Sequence, residues 1–141
     1  MSQTVDVIRL ELPATYKYLN ILGTSISGMI ERVDDLAEAE IVSYNIQLGV
    51  NEIFANIVGH AYADDESQRV DITISLMAAP RRMVVELHDT GAAFDPDAVP
   101  PPNLEDAQIH GYGLFLVEQL LDEVEYQPHP GGNCWRLVKY L

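Results

Sequence analysis

The sequence predicts an α+β two-layer sandwich, in which three helices pack on a mixed, mostly antiparallel sheet. Apolar residues first recur at helical spacing, from Leu19 to Val33 and again from Val50 to Ala61. They then alternate with other residues from Val70 to Leu76 and from Met83 to Leu87, which is typical of half-buried strands. Because helices and strands are partly segregated along the chain, this order indicates a layered fold.

The first half of the chain is expected to hold one strand and two helices. The strand covers residues 5–12, and Pro13 ends it. The first helix is expected from Thr15 to about Val33 and stops in the acidic stretch of residues 34–40. The second helix is expected from about Glu38 to Ala61, with its apolar residues on one face.

The second half is expected to hold four strands and one helix. "AAPRR" separates the two alternating segments and indicates a hairpin turn. Residues 90–109 are predicted to form an irregular loop, because the prolines in "PDAVPPPN" supply no backbone donors. A helix from about Gly113 to Leu121 follows, and then two strands around Val124 and over residues 135–140, which "HPGGN" joins.

Size and charge limit the possible functions. A chain of 141 residues is expected to form one domain, residues 1–141. Its formal net charge of −14 argues against binding to nucleic acid or to an anionic membrane, because phosphate surfaces need lysine and arginine. With Cys134 as its single cysteine, the chain forms no internal disulfide. No signal peptide and no membrane span are evident in the sequence, so a cytoplasmic location is expected.

The first motif is a polar stripe on the second predicted helix. Gly49, Glu52, Asn56 and His60 are spaced so that they share one helix face. Taken alone, the stripe is most simply a solvated face. In the chemical interpretation, the Asn56 amide oxygen is a ligand for Mg²⁺, which prefers oxygen. Glu52, one turn away, would then accept a proton from a nucleophile.

Two further motifs follow. In "HDTGAAFDP", Asp89 ends a strand and can receive an exocyclic amine of a base, while Gly91 lets a ligand approach the backbone. In "HGYGLFLVEQLL", Gly111 and Gly113 are predicted to precede an apolar helix, whose first N–H groups favour an anion. Each motif alone is more simply a turn or a loop that enters a helix.

Together, the three motifs resemble the Bergerat ATP-binding fold of gyrase, heat-shock chaperones, histidine kinases and MutL mismatch-repair proteins. The resemblance covers essentially the whole chain. Within that family the sequence is most similar to the anti-sigma factor serine/threonine kinases of bacteria. The likeness lies in "NEIFANIVGHAY", "DTGAAFDP" and "GYGLFLVEQLLDEVEY", and in "GGN" before the last strand.

The resemblance implies ATP and Mg²⁺ as cofactors and gives each motif a role. Glu52 is expected to be the catalytic base, Asn56 to bind Mg²⁺ and Asp89 to contact the adenine amine. The lid over ATP would run from about Pro96 to His110, and His110 either contacts phosphate or is merely exposed. The nucleotide-binding set expected from the resemblance comprises Asn56, His60, Asp89, Gly91, Phe94, His110, Gly111, Tyr112, Gly113 and Leu114.

The predicted lid departs from what a phosphate site needs. It contains no lysine or arginine, so a basic contact to the γ-phosphate would have to come from elsewhere. Arg69, Arg81 and Arg82 are the nearest basic residues in sequence. This departure bears more on the rate of phosphoryl transfer than on nucleotide binding.

Three functions are compatible with the resemblance. The first is an ATP-dependent serine/threonine kinase that binds a sigma factor or similar regulator and phosphorylates a small antagonist protein, in the bacterial cytoplasm and as a homodimer. The second is a catalytically weak ATP-binding module that switches partners by binding alone. The third, the catalytic half of a histidine kinase, is disfavoured because the first predicted helix contains no histidine.

Overall fold

A computed structural model of the protein describes residues 3–93 and 109–141, with the side chains of residues 109–112 left out of the description. The first half contains strand β1 (Gln3–Pro13), helix α1 (Leu19–Glu31) and helix α2 (Ala39–Asn56). The second half contains β2 (Arg69–Ala78), β3 (Arg82–Asp89), α3 (Ile109–Leu120), β4 (Glu123–His129) and β5 (Gly132–Tyr140). A 3₁₀ turn (Tyr16–Tyr18) precedes α1, and a π-helical turn (Ile57–Ala61) extends α2.

The five described strands form one sheet in the order β1-β2-β3-β5-β4. All four neighbouring pairs are antiparallel. The prediction of a mostly antiparallel sheet is therefore confirmed, and the described strands form no parallel pair. Strand β4 runs parallel to β3 but does not pair with it, because β5, the second strand of the β4–β5 hairpin, lies between them.

The hydrophobic core lies between the three helices and one face of the sheet. Alternate residues of the central strands point into it, and α1, α2 and α3 cover them, as the α+β two-layer prediction requires. Ile72, Leu87 and Trp135 come from three adjacent strands and are at most 2% exposed. Phe54 on α2 is fully buried above this face. The opposite face of the sheet carries no described helix.

The boundaries of all three helices differ from the sequence prediction. Helix α1 begins at Leu19 rather than Thr15, because Thr15 caps the separate 3₁₀ turn by accepting from the Lys17 amide. Helix α2 is regular only to Asn56, after which the backbone widens into the π-helical turn.

The start of the third helix was also predicted wrongly. Helix α3 begins at Ile109, so Gly111 and Gly113 lie inside its first two turns rather than before it. Glycine weakens a helix, and the sequence therefore favoured a later start. Packing on α2 offsets that penalty, since Gly113 in α3 lies directly against Glu52 of α2.

Part of the predicted lid lies outside the described residues. This applies to residues 96–108, whereas the backbone of His110 lies in α3. Phe94 of the second motif also lies outside the described residues. Among the residues that the structure describes, no helix combines the length and apolar character that crossing a membrane requires.

Candidate functional site

A cavity of about 360 Å³ opens between the end of α2, its π-helical extension and the start of α3. We call it the helix cavity. Its lining includes Glu52, Asn56 and His60 from the polar stripe, together with Gly113 and Leu114 of α3. Gly49, the fourth member of the predicted stripe, is buried against Leu121 instead. The cavity lining also includes Tyr16, Ile53, Ala55, Gly59 and Asp64, which the sequence did not indicate.

Glu52 lies directly against the backbone of α3. A Cβ atom placed on Gly113 would be 2.7 Å from the Glu52 carboxylate oxygen Oε2. Glycine at this position therefore leaves the space that the carboxylate occupies. The first and third motifs meet here, although 61 positions separate them along the chain.

The π-helical turn determines where the last side chain of the polar stripe, His60, points. The Tyr62 amide donates to the Ile57 carbonyl at 3.0 Å, five residues back, and the Asp64 amide donates to the Val58 carbonyl at 2.8 Å. A π-helical turn shifts the side chains that follow it, and such turns are frequent at functional sites. In this chain it places His60 on the cavity wall beside Asn56, and the loop after it brings Asp64 to the same wall.

A buried network closes the ends of β3 and β5, and we call it the strand-end network: Tyr62, Asp89, Gly91 and Asn133. Asp89 is 4% exposed. Its Oδ1 atom accepts from the Gly91 amide at 2.9 Å and from the Asn133 side-chain amide at 2.7 Å. Its second oxygen, Oδ2, is buried and has no hydrogen-bond donor among the described residues. A buried acceptor of this kind is costly unless a ligand or water donates to it.

Asn133 was missed by the sequence reasoning as a site residue. It is 1% exposed, and its amide nitrogen donates to Asp89 and to the carbonyls of Gly91 and Ala92 at 3.2 and 3.0 Å. Its own oxygen accepts from the Tyr126 hydroxyl at 2.7 Å. Asn133 thereby fixes the rotamer of Asp89 and the loop after it. The available signal was only its place after "GG", which does not reveal a partner 44 residues away.

Tyr62 joins the π-helical turn to the same network. Its hydroxyl donates to the Arg69 carbonyl at 2.6 Å and accepts from the Thr90 amide at 2.8 Å. Because Thr90 lies between Asp89 and Gly91, the end of the first motif holds the start of the second. The sequence resemblance singled out Tyr62 as part of a motif but gave it no such role.

Gly91 and Gly132 permit two close backbone approaches. A Cβ atom on Gly91 would overlap the carbonyl group of Ala61, and one on Gly132 would overlap the carbonyl oxygen of Asp89. The Ala92 amide donates to the Ala61 carbonyl at 2.8 Å, so this contact is also hydrogen-bonded. Glycine at these two positions lets the loop after β3 lie directly on the π-helical turn and on β5.

The structure therefore assembles most of the predicted residues in two adjoining places. Glu52, Asn56, His60, Gly113 and Leu114 line the helix cavity. Asp89 and Gly91 belong to the strand-end network, which Ala61 joins to the cavity wall through Gly91. The side chains of His110 and Tyr112 are not described, and the backbone of Gly111 lies in the first turn of α3.

The sequence and the fold of this chain have counterparts among known proteins. The family of histidine kinase-like ATPase domains matches residues 12–139 of the chain. The chain belongs to this family. As an ATPase domain it uses ATP, and the predicted relation to the Bergerat-fold ATPases is confirmed.

Curated relatives narrow the position within the family. The chain is 32% identical to the serine-protein kinase RsbW of Listeria monocytogenes, over the whole chain and 91% of that protein. It is 29% identical to RsbW of Bacillus subtilis and of Bacillus velezensis, over the whole chain and 89% of each. These similarities place the ATPase domain among the anti-sigma factor kinases, as its motifs indicated.

Solved structures support the fold. The crystal structure of the RsbU and RsbW domains of a Mycobacterium tuberculosis protein superposes with a TM-score of 0.68 at 17% identity, covering 97% of this chain and 33% of that one. The histidine kinase domain of a blue-light activated histidine kinase from Erythrobacter litoralis gives a TM-score of 0.59 at 22% identity, covering 92% of this chain and 61% of that one.

The charges around the ATPase domain's cavity are predominantly acidic. Its described lining contains the carboxylates of Glu52 and Asp64 and no lysine or arginine. Arg81 donates instead to the Asp34 carbonyl at 2.7 Å, and Arg82 to the Pro80 carbonyl at 2.8 Å. Arg69 is exposed at the start of β2. The three arginines nearest the lid in sequence therefore lie outside the described cavity lining.

Proposed function

We propose that this ATPase domain is an ATP-dependent serine/threonine protein kinase that acts as an anti-sigma factor. It binds a sigma factor or a similar regulator and phosphorylates a small antagonist protein. The observation that carries the proposal is the meeting of Glu52, Asn56 and Gly113 at one cavity. A carboxylate beside an oxygen ligand for a cation, at the start of a helix, is what phosphoryl transfer to a hydroxyl requires.

The strand-end network supplies the base pocket in this proposal. The orphaned Oδ2 atom of Asp89 accepts the exocyclic amine of adenine, which satisfies a buried acceptor. Oδ1 cannot rotate into that role, because Gly91 and Asn133 already donate to it. Gly91 lets the loop after β3 lie against Ala61, which holds Asp89 at the edge of this pocket. Phe94, Tyr112 and Leu114 complete the nucleotide contacts expected from the motifs.

The donor set of the helix cavity fits Mg²⁺. Asn56 offers a neutral amide oxygen, and Mg²⁺ takes few ligands from protein and the rest from phosphates and water. The acidic lining repels the phosphates of ATP, so a divalent cation is needed to offset that repulsion. When bound, the cation neutralises charge on the phosphates and orients them. The backbone of Gly111 and Gly113, with His60 and His110, contacts the phosphate chain.

Glu52 performs the proton transfer. Its carboxylate rests beside Gly113 and takes the proton from the substrate hydroxyl as that oxygen attacks the γ-phosphorus. The bond between the γ-phosphorus and the β,γ-bridging oxygen breaks, and ADP leaves. Transfer depends mainly on positioning and electrostatics. The new phosphate adds about −1.5 to −2 charges to the antagonist, which repels the acidic kinase and releases it.

The same proposal includes the homodimer and the cytoplasmic location expected from the family resemblance. The chain acts as a homodimer in the bacterial cytoplasm, where sigma factors and their antagonists meet. It contacts no nucleic acid directly, which agrees with its net charge of −14.

One observation favours a second function, an ATP-binding switch that regulates by binding alone. The described lining of the helix cavity contributes no lysine or arginine to stabilise charge on the γ-phosphate. In that case ATP would order the partner surface without transferring phosphate.

The deciding experiment is transfer of radiolabel from γ-labelled ATP to the cognate antagonist, beside calorimetry of ATP binding with and without Mg²⁺. For the kinase, wild type labels a serine or threonine and Glu52→Gln does not, while both bind Mg·ATP. Binding without label in wild type would assign the switch instead. Failure to bind millimolar ATP would reject both functions.

A further inference from the structure

A group of metal-ligating side chains lies on the sheet face opposite the helices. We call Glu86, His88 and Cys134 the outer-face cluster. Glu86 and His88 are two residues apart on β3 and so point to the same side. Cys134 on β5 is the cross-strand partner of His88. Their potential ligand atoms all lie within 4.8 Å of one another.

We propose that Glu86, His88 and Cys134 bind a zinc ion on the outer face of the sheet, at a site separate from the nucleotide. His88 Nε2 is 3.5 Å from Cys134 Sγ and 3.9 Å from Glu86 Oε2. A tetrahedral zinc ion with ligand bonds of 2.0–2.3 Å holds its ligand atoms about 3.3–3.8 Å apart. The thiol and the imidazole are already at that spacing, and a carboxylate oxygen of Glu86 lies within 4.8 Å of both.

The backbone under the cluster favours such a site. Strand β3 pairs with both β2 and β5, and β5 pairs with both β3 and β4, so both ligand-bearing strands are interior to the sheet. Leu87 and Trp135, the neighbours that point to the helices, are at most 2% exposed. Binding therefore orders side chains but little backbone, which lowers its entropic cost.

The chemical types of the three ligands favour zinc over Mg²⁺. A thiolate, an imidazole and a carboxylate suit zinc, whereas Mg²⁺ prefers oxygen ligands alone. Three protein ligands leave the fourth tetrahedral position for water. The side chains of His88 and Glu86 are 46% and 37% exposed, so an ion can enter from solvent.

The charged side chains next to the cluster include one that favours a bound cation and one that opposes it. Asp71 on β2 is the cross-strand partner of His88 and adds a carboxylate beside it. Arg136 on β5 is the cross-strand partner of Glu86, and its positive charge opposes a cation. Arg136 itself faces Glu125 on β4, which moderates that opposition. Removal of the Arg136 charge should therefore strengthen metal binding.

The simpler interpretation is an ordinary polar contact between two strands. At these exposures the Glu86–His88 ion pair contributes little stability. Burial raises the pKa of the Cys134 thiol, and the Glu86 carboxylate raises it further, which counts against a reactive thiolate in the metal-free protein. These contacts explain why the cluster is tolerated without a metal, whereas a metal ion would bind all three side chains directly.

Cobalt titration of tag-free protein tests the site directly. The titration contains no nucleotide and includes excess Mg²⁺ to occupy oxygen-ligand sites. Because Cys134 is the only cysteine in the chain, a thiolate-to-cobalt charge-transfer band identifies it as a ligand. We expect this band to saturate at one equivalent, with the intense visible absorption of tetrahedral cobalt, and zinc to abolish it.

Variants assign the other ligands. Cys134→Ser should remove the charge-transfer band. Loss of an outer-shell partner alone costs about 10–100-fold in metal affinity, so His88→Gln and Glu86→Gln should each weaken cobalt binding at least about tenfold. His129→Gln, an exposed histidine at the end of β4, is the matched control and should change nothing. Arg136→Gln should bind cobalt severalfold more tightly.

Two results would overturn the site. No charge-transfer band in the wild-type protein at micromolar cobalt would show that Cys134 binds no metal there. A band that persists with unchanged affinity in His88→Gln would show that Cys134 binds the metal without His88, so that this cluster is not the site. Neither result bears on ATP, because no nucleotide is present.

Discussion

The strand-end network and the helix cavity adjoin each other, but they are built differently. In the strand-end network, Asp89, Asn133 and Tyr62 are each at most 7% exposed and are held by hydrogen bonds of 2.6–3.2 Å. In the helix cavity, Glu52 and Asn56 are half-buried and project from a single helix. One region is fixed by bonds between separate strands, and the other by helical spacing.

In the proposed function, this difference separates recognition of the base from the chemistry of transfer. A buried acceptor whose neighbours fix its orientation suits selection of one base, because a wrong donor pattern leaves a buried group unpaired. A half-buried carboxylate on a helix can move as substrate arrives, which suits proton transfer. Changes in the first region should alter nucleotide affinity and stability, and changes in the second should alter the rate.

The largest effect is expected from Glu52→Gln. The amide keeps the volume beside Gly113 but cannot accept the substrate proton. General-base catalysis contributes roughly 10²–10⁴-fold, so labelling of the antagonist should fall by about that factor. Calorimetry should show nearly unchanged Mg·ATP affinity. Glu66→Gln, in the exposed loop before β2, is the control. An unchanged labelling rate would remove Glu52 from the mechanism.

Asp89→Asn should change which base is bound. Gly91 and Asn133 both donate toward Oδ1, so the new amide nitrogen is forced into the Oδ2 position. It then presents a donor where Asp89 presented an acceptor. ATP affinity should fall by roughly 10–100-fold, and the preference for ATP over GTP should shrink, because GTP carries an oxygen there.

Competition binding with both nucleotides measures that change. Asp71→Asn, exposed on β2, is the matched control and should keep the wild-type ratio of affinities. Equal losses for ATP and GTP would place Asp89 in structural support rather than in base recognition.

Asn133→Ala should mainly reduce stability. It removes the amide that donates to Asp89, Gly91 and Ala92 and the oxygen that accepts from the Tyr126 hydroxyl. A buried group left unpaired costs about 1–3 kcal/mol, so urea unfolding should show a loss of that order. Asn20→Ala, exposed on α1, should stay within about 0.5 kcal/mol of wild type. Equal stability of both variants would contradict the role of Asn133 in holding Asp89 and the loop after it.

The smallest effect is expected from Gly113→Ala. The added Cβ atom would lie 2.7 Å from Glu52 Oε2, and the carboxylate would have to swing aside. Labelling should slow by roughly tenfold or less, since only part of the general-base contribution is lost. Thermal stability should hold or rise slightly, because alanine favours a helix by up to about 1 kcal/mol. Gly28→Ala on α1, where the added Cβ atom would make only an ordinary contact of 3.8 Å with Arg32, should leave the labelling rate unchanged.

Much of the helix cavity could be predicted because its parts are local. Four-residue spacing on α2 placed Glu52, Asn56 and His60 on one side, and the structure brings all three to one cavity. The strand-end network could not be found in the same way. Asn133 and Asp89 meet only because β5 inserts between β3 and β4, which no local pattern records.

Backbone conformation produced the clearest errors. Glycine is common before helices and unfavourable within them, so Gly111 and Gly113 were placed outside α3. The structure includes both in α3, and at Gly113 the close approach of Glu52 leaves no room for a side chain. The π-helical turn also left no sequence signal, since its residues continue the apolar pattern of α2.

The sequence alone determined the layers, the five strands and the faces of the helices, because periodicity specifies which side of each element is buried. It also determined the family, since three short motifs in order are rare by chance. Only the tertiary structure decided which groups meet: Gly113 with Glu52, Asn133 with Asp89, and Cys134 with His88. Each pair joins residues at least 44 positions apart, and such contacts depend on strand order and register rather than on local preference.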